Sequence, residues 1–235
     1  MLRIEDVQVR YGDFIAVSSV SLSVEQGQVA ALIGANGAGK SSLLSAVCGL
    51  VRPAAGKVYF DGCDITGLPA DKVVERGLCL VPQGGRCFTR MSVYDNLMIG
   101  SYPKAARKEA AASLERVYSL FPVLAEKRGE LAGSLSGGQR QMLAIGRALM
   151  TRPRCVVFDE ISLGLAPIAI KGLYERILQI NRDEGITVVV VEQDTERALR
   201  IADTCFVITK GAIALQGKAS QMSDEAIRSA FFGLE

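Results

Sequence analysis

Apolar and polar positions alternate with a period of two at the start of the chain. Leu2, Ile4, Val7, Val9 and Tyr11 carry the pattern, with Asp6 as a polar break, and predict a strand. Tyr11-Gly12-Asp13 reads as a turn. Ala16-Val17 and Val20–Val24 continue the alternation up to a second turn, Glu25-Gln26-Gly27. Lys57–Phe60 followed by Asp61-Gly62 adds a further strand and turn, so an antiparallel β-layer is expected near the N-terminus. Val29–Ile33 is different: an unbroken apolar run of strand length, as in a strand covered on both faces.

From about Ser92 to Met150 the period changes to 3.6 and a helical insertion is predicted. One helix is expected over Lys104–Leu120, bounded by Pro103 and Pro122, with Ala111, Leu114, Val117 and Tyr118 on its apolar face. Strand–helix alternation resumes with Cys155–Phe158, Ile186–Val191 and Cys205–Ile208 as strands. Helices are expected at about Pro167–Arg182 and Asp194–Ile201, and a short one at Ser223–Phe232. This order predicts an α/β fold with a mainly parallel sheet and helices on both faces. One domain spanning 1–235 is expected, with core and β-layer at about 1–83 and 151–235 and a helical subdomain at about 84–150.

Between the apolar run and a helix start at Ser42–Val47 lies Gly34-Ala35-Asn36-Gly37-Ala38-Gly39-Lys40-Ser41. It matches the phosphate-loop pattern G-x-x-x-x-G-K-[ST] in the strand–loop–helix setting the motif requires. Glycines let backbone N–H groups converge on phosphate oxygens, and the helix N-terminus adds donors and a favourable dipole. Lys40 supplies charge near the β- and γ-phosphates, and Ser41 offers a hydroxyl to Mg²⁺.

Val156-Val157-Phe158 ends in two carboxylates, Asp159 and Glu160. Paired acids at the end of a buried strand need something to satisfy them, and the C-terminal edge of a parallel sheet is where ligands bind. Beside a phosphate loop, Asp159 suits a Mg²⁺-bound water and Glu160 an attacking water. Leu135-Ser136-Gly137-Gly138-Gln139 precedes an amphipathic helix from Arg140 to Met150. Ser136 suits an N-cap, and the glycines expose backbone N–H groups, giving a second anion-binding helix start. It has no preceding strand, lysine or metal-binding hydroxyl, so it should not hold nucleotide by itself.

The bulk numbers exclude several classes. Net charge is +2, from 27 basic and 25 acidic residues, and gives no general nucleic-acid footprint. No apolar run is long enough for a transmembrane helix, and the charged start Met1–Asp6 is unlike a signal peptide, so a cytoplasmic protein is expected. Cys48, Cys63, Cys79, Cys87, Cys155 and Cys205 form no C-x-x-C pair, and most read as small buried hydrophobes in a reducing compartment. The chain has no histidine, which removes Ser-His and Cys-His catalysis.

Taken together, the two anion sites and the Asp159-Glu160 strand resemble the ATP-binding cassette (ABC) ATPases, the nucleotide-binding subunits of transporters, over the whole chain. Leu135–Gln139 is the most specific element of that likeness. The resemblance implies a P-loop NTPase cassette fold with ATP and Mg²⁺ as cofactors. It implies that Tyr11, Gly34, Ala35, Asn36, Gly37, Ala38, Gly39, Lys40, Ser41 and Ser42 hold nucleotide, Tyr11 by stacking on adenine unless it is only an edge-strand tyrosine. Ser136, Gly137, Gly138 and Gln139 would complete the site of an opposite subunit in a head-to-tail sandwich. Gln83, after Leu80-Val81-Pro82, would touch Mg²⁺ or the attacking water, Ser41 and Asp159 would serve the metal, and Glu160 and Gln193 would act in catalysis.

A narrower likeness rests on Gly34–Lys40, Cys48-Gly49-Leu50, Ser162–Pro167 and Val191-Glu192-Gln193. These are similar to the branched-chain amino acid transport branch, in its shorter LivF type. Related systems carry urea, short amides or aromatic acids. The resemblance implies a peripheral protein on the cytoplasmic face of the inner membrane. Its partners would be two separate permease subunits, a second ABC ATPase (paralogue or self) and an extracytoplasmic solute-binding protein, with no nucleic acid.

Three positions depart from the wider family: Gln193 replaces a histidine, Leu165 lies near a usual aspartate, and Ile161 replaces a frequent proline, which puts the loop geometry in question. An amide can donate to phosphate but carries no proton or charge. Non-transport ABC proteins usually have two cassettes or long coiled coils, which this chain lacks. A kinase or GTPase would not have Leu135–Gln139. The surface from Gln83 to Met98, with Phe88 in a glycine-softened loop, reads as a membrane-subunit dock; the alternative is that Phe88 and Leu97 pack the insertion's own core.

Overall fold

The computed structural model describes residues 1–232. The strands are β1 (Leu2–Tyr11), β2 (Phe14–Val24), β3 (Val29–Ile33), β4 (Ala55–Phe60), β5 (Cys63–Asp64), β6 (Leu78–Val81), β7 (Cys155–Asp159), β8 (Thr187–Glu192), β9 (Thr204–Thr209) and β10 (Ala212–Lys218). The α-helices are α1 (Lys40–Val47), α2 (Ala70–Glu75), α3 (Val93–Gly100), α4 (Lys104–Lys108), α5 (Ala110–Leu120), α6 (Pro122–Glu126), α7 (Gly137–Leu149), α8 (Pro167–Glu184), α9 (Thr195–Ile201) and α10 (Asp224–Phe232).

All ten strands join one sheet in the order β5-β4-β1-β2-β10-β9-β3-β8-β7-β6. β9, β3, β8, β7 and β6 run parallel, and β1, β2, β4 and β5 pair antiparallel. β10 bridges the halves: it is antiparallel to β9 and meets β2 in parallel at Ala212 and Ser19. Every residue of β3 and β8 is buried, as expected for parallel strands covered on both faces.

The period of two divides the core. Val188 and Val190 face the cluster that includes the helical insertion, while Val189 and Val191 face the cluster beneath α1 and the antiparallel strands. β7 splits the same way, Val156 and Phe158 against Cys155 and Val157. Between β6 and β7 the α-helices α3 to α7 follow one another, and α7 buries Leu143, Ala144, Ile145, Ala148 and Leu149.

The single helix expected over Lys104–Leu120 is two. The chain leaves helical geometry at Glu109 (φ −111°, ψ 16°), so α4 and α5 bury different residues. α4 buries Ala106, and α5 turns Ser113, Val117 and Leu120 inward. Leu114 and Tyr118 lie partly buried against the core, but Ala111 is exposed and Ala110 takes the packed position. Among the cysteines, Cys48, Cys79, Cys155 and Cys205 are buried, Cys87 is half-buried and Cys63 is exposed. Among the described residues no helix is long and apolar enough to cross a membrane.

Candidate nucleotide site

The site is built at the C-terminal ends of β3, β7 and β8, where parallel strands release their chains into loops. After Ile33 the chain turns through Gly34–Gly39 into α1. Gly39 has φ 105°, and a Cβ there would lie 2.5 Å from the Ala16 carbonyl oxygen, so only glycine lets the loop close against β2. A Cβ on Gly34 would lie 2.6 Å from the Ile208 carbonyl oxygen, which seats the loop equally tightly on β9. The Gly211 N–H donates to Ala38 O at 2.9 Å and completes the seat.

Lys40 opens α1 and is buried. Its Nζ donates to Gly34 O at 2.7 Å and Ala35 O at 3.1 Å, curling the loop around the ammonium. The same Nζ forms an ion pair with Glu160 Oε1 at 3.1 Å. Gln83 Nε2 donates to Glu160 Oε2 at 3.0 Å. Lys40 at the start of α1, Gln83 after β6 and Glu160 after β7 therefore meet at one carboxylate. Glu160 sits at φ 45°, an uncommon backbone for a glutamate, just past the end of β7, and its N–H donates to Val191 O at 3.0 Å.

Asp159 is the last residue of β7. Its Oδ1 is buried and has no hydrogen-bond partner in the structure. Burial raises the carboxyl's pKa, and Glu160 beside it raises it further; Ser41, Lys40 and Arg86 work in the opposite direction. A buried, unsatisfied carboxylate oxygen near a serine hydroxyl is a site that a cation would relieve. Asp159 and the Ser41 hydroxyl beside it supply oxygen donors of the kind Mg²⁺ takes.

Tyr11 ends β1 and pairs across the hairpin with Phe14. Tyr11, Phe14 and Ile15 are exposed at the hairpin end, and Ala16, the next residue, touches Gly39 of the loop. This is an apolar platform beside the Gly34–Lys40 loop, and Phe14 is a member that the sequence pattern did not single out. Gln193 lies exposed in the bend after β8.

Ser136 caps α7 in a capping box: its side chain accepts from Gln139 N, and Gln139 Oε1 accepts from Ser136 N at 2.9 Å. These contacts stay within the cap. Cβ atoms on Gly137 and Gly138 would meet Leu165 and Ala169 at 3.7 and 3.8 Å, so this helix start faces the end of the loop after Glu160 and the first turn of α8. Within the chain the capping contacts do not join Ser136–Gln139 to Lys40; their open face is available to another molecule.

Residues 17–162, more than half of the chain, match the family model described as ABC transporter. The chain belongs to the ABC transporter family. The high-affinity branched-chain amino acid transport ATP-binding protein BraG of Pseudomonas aeruginosa is 40% identical over 99% of this chain and 100% of its own length. A probable branched-chain amino acid transport ATP-binding protein, LivF, of Archaeoglobus fulgidus is 32% identical over 94% of each chain. An ATP-binding cassette of an ABC transporter, solved in its ADP conformation, superposes with a TM-score of 0.84 at 30% identity, covering 97% of this chain and 93% of that one.

As an ABC protein the chain is an ATPase subunit with the cassette fold. At the positions that depart from the wider ABC pattern the structure gives physical detail. Ile161 is buried in the core cluster of the insertion and anchors the loop after Glu160 by packing. That loop then turns through Leu163 N to Glu160 O at 3.2 Å and Leu165 N to Ser162 O at 3.2 Å.

The sequence assigned no role in the site to Ser162, Tyr174, Glu192 and Arg197, which gather behind it. The available signal was Glu192: like Asp159, it is an acid ending a buried β-branched run.

Proposed function

We propose that this chain is the ATP-hydrolysing subunit of an importer for branched-chain or related amino acids. The observation that carries this reading is full-length likeness to BraG at 40% identity, joined to a site in which Lys40, Gln83 and Glu160 converge.

Lys40 and the N–H groups of Gly34–Ser42 bind the phosphates of ATP, and Tyr11 receives the adenine on the hairpin platform. A triphosphate competes with Gly34 O, Ala35 O and Glu160 for the Lys40 ammonium, so nucleotide entry frees Glu160 to polarise water. Ser41, Asp159 and Gln83 would hold Mg²⁺, which would supply neutralisation of phosphate charge. Gln193 donates an amide hydrogen bond to the γ-phosphate. Ser136–Gln139 of a second cassette, a copy or a paralogue, close the site from the opposite side.

The assembly works at the cytoplasmic face of the membrane, beneath two permeases fed by an extracytoplasmic binding protein. A groove of about 300 Å³ lined by Leu80, Pro82, Phe88, Ile99, Tyr102 and Arg147 supports docking next to Gln83. It couples permease contact to the residue that touches Glu160.

Uptake by cells lacking this chain tests the reading. Labelled leucine, urea, a short amide and an aromatic acid are offered in parallel, with the wild-type gene returned as control. Loss of leucine uptake alone, restored by the gene, is expected. Loss of one of the other solutes reassigns the cargo, and no loss with any of them removes the import role.

A further inference from the structure

Glu192 ends β8 and is 3% exposed. A carboxylate there is costly unless donors surround it. The Tyr174 hydroxyl, from α8, donates to Oε1. Ser162 Oγ, from the loop after Glu160, donates to Oε2 at 3.0 Å. Arg197 Nη1, from α9, donates to Ser162 Oγ at 2.9 Å and lies 3.9 Å from Glu192 Oε2. Arg197 Nη2 is held in turn by Asp194 Oδ2 at 2.9 Å, and Asp194 caps α9. Ser162 and Tyr174 are buried as well.

The network ties four elements at one carboxylate, and two of them carry the expected chemistry. Ser162 is two residues past Glu160. Glu192 immediately precedes Gln193, whose own side chain is exposed. Through the backbone, Glu160 N–H already donates to Val191 O at 3.0 Å. The side-chain network adds a second tie on the far side of Glu160, so the two loops are pinned both before and after the strand ends.

We propose that Glu192 is a positioning residue. With Tyr174, Ser162 and Arg197 it fixes the chain end that carries Gln193 relative to the loop that carries Glu160. The proposal rests on the reading that Gln193 contacts the γ-phosphate. An apolar core would fill the same space, but only a multiply bonded carboxylate sets the direction in which the next residue leaves the strand. Misplacing a group by about 1 Å costs up to about 100-fold in rate.

Glu192→Gln and Tyr174→Phe are made alone and on a Gln193→Ala background. For each variant kcat and KM for Mg-ATP, nucleotide affinity and Tm are measured on the full chain, within the assembled transporter where turnover requires it. Glu192→Gln is expected to lower kcat about tenfold and Tyr174→Phe about threefold, with KM and affinity within about twofold. In the Gln193→Ala background neither change should lower kcat further, because the group they aim is gone.

A lowered Tm with unchanged kcat assigns the network to stability alone and overturns the proposal. Additive losses on the Gln193→Ala background overturn it too. If Glu192→Gln does not fold, Tyr174→Phe, which removes one donor and keeps the carboxylate, decides on the same criteria. A wild-type rate for Gln193→Ala instead defeats the γ-phosphate reading of Gln193, and this proposal with it. Slow Gln193→Ala with wild-type Glu192→Gln defeats this proposal only.

Discussion

Lys40 Nζ and Glu160 Oε1 lie 3.1 Å apart, and both side chains are almost wholly removed from solvent. The ammonium proposed to serve phosphate and the carboxylate proposed to serve water are therefore satisfied by each other. The pair is 120 residues apart in sequence and is made only by folding β3 beside β8 and β7. Breaking a buried pair by removing one member leaves an uncompensated charge, which typically costs about 3–5 kcal/mol.

Lys40→Ala should therefore show two losses. Nucleotide affinity is expected to fall about 10- to 100-fold or more, the worth of charge-assisted contacts to phosphate. The nucleotide-free protein should also melt lower, because Glu160 keeps only the Gln83 amide. Adding Glu160→Gln to Lys40→Ala should recover part of the melt and none of the affinity. Calorimetric melts and titration of labelled ATP read the two effects apart; unchanged affinity in Lys40→Ala would remove Lys40 from the phosphate site.

Glu160→Gln alone keeps the shape and the capacity to accept from Gln83, and removes the base. ATP binding should persist, while phosphate release drops about 100-fold or more. Because hydrolysis is what separates the proposed sandwich, this variant should accumulate an ATP-dependent dimer. Size-exclusion with light scattering, with the partner ATPase present, checks it; a monomer throughout would reject the sandwich.

What the chain disclosed in advance follows from how local each signal is. The glycine loop, Lys40 and Ser41 are contiguous, and their glycines are demanded by contacts such as that of Gly39 with Ala16 O. Four of the parallel strands, β3, β7, β8 and β9, announced themselves as apolar runs because both faces are covered, while β6 was not marked out by its own pattern. β10 did not, since it is half-exposed along its length and gains its place only by pairing with β9. The break at Glu109 was hidden because the residues on either side are good helix formers, and tertiary burial of Ala106 and Val117 on different surfaces sets it. The convergence of Ser162, Tyr174, Glu192 and Arg197 is a product of topology, with no spacing in the sequence to mark it.

Asp159 offers a pH-dependent test. Its carboxyl titrates above the ordinary range because burial penalises the ionised form. A group whose folded pKa is raised destabilises the fold where it is ionised. Well below about pH 4, where the acid is protonated folded or unfolded, Asp159→Asn should melt like wild type. As pH rises from the unfolded-state pKa to the folded-state pKa, the variant should become the more stable of the two in metal-free solution, and the gap should be complete above the folded value. The same variant should lose Mg²⁺-dependent turnover about 100-fold or more. Melts from about pH 2.5 to about pH 8 with and without Mg-ATP read both; equal melts at every pH would show that burial of Asp159 carries no electrostatic cost.

Phe88 and Leu97, paired in the sequence as either dock or core, separate in the structure. Leu97 is fully buried, while Phe88 is half-exposed, with the Arg147 guanidinium 5.2 Å from its ring centre. The backbone of Phe88 is clamped by buried Asn96, whose Oδ1 accepts from Phe88 N at 2.8 Å and whose Nδ2 donates to Phe88 O at 3.0 Å. The fold thus holds an aromatic ring in place at the rim of the groove beside Gln83. Phe88→Ser should leave Tm nearly unchanged and abolish co-purification with the permeases. Asn96→Ala should do both kinds of damage, since it frees the loop and strands two buried polar groups at about 1–3 kcal/mol each. Leu97→Ser should fail mainly by destabilisation. The measurement is parallel: melt, intrinsic ATPase rate and permease capture for all three variants. A lowered melt with intact capture for Phe88→Ser would place that ring in the core of the insertion and move the docking surface elsewhere.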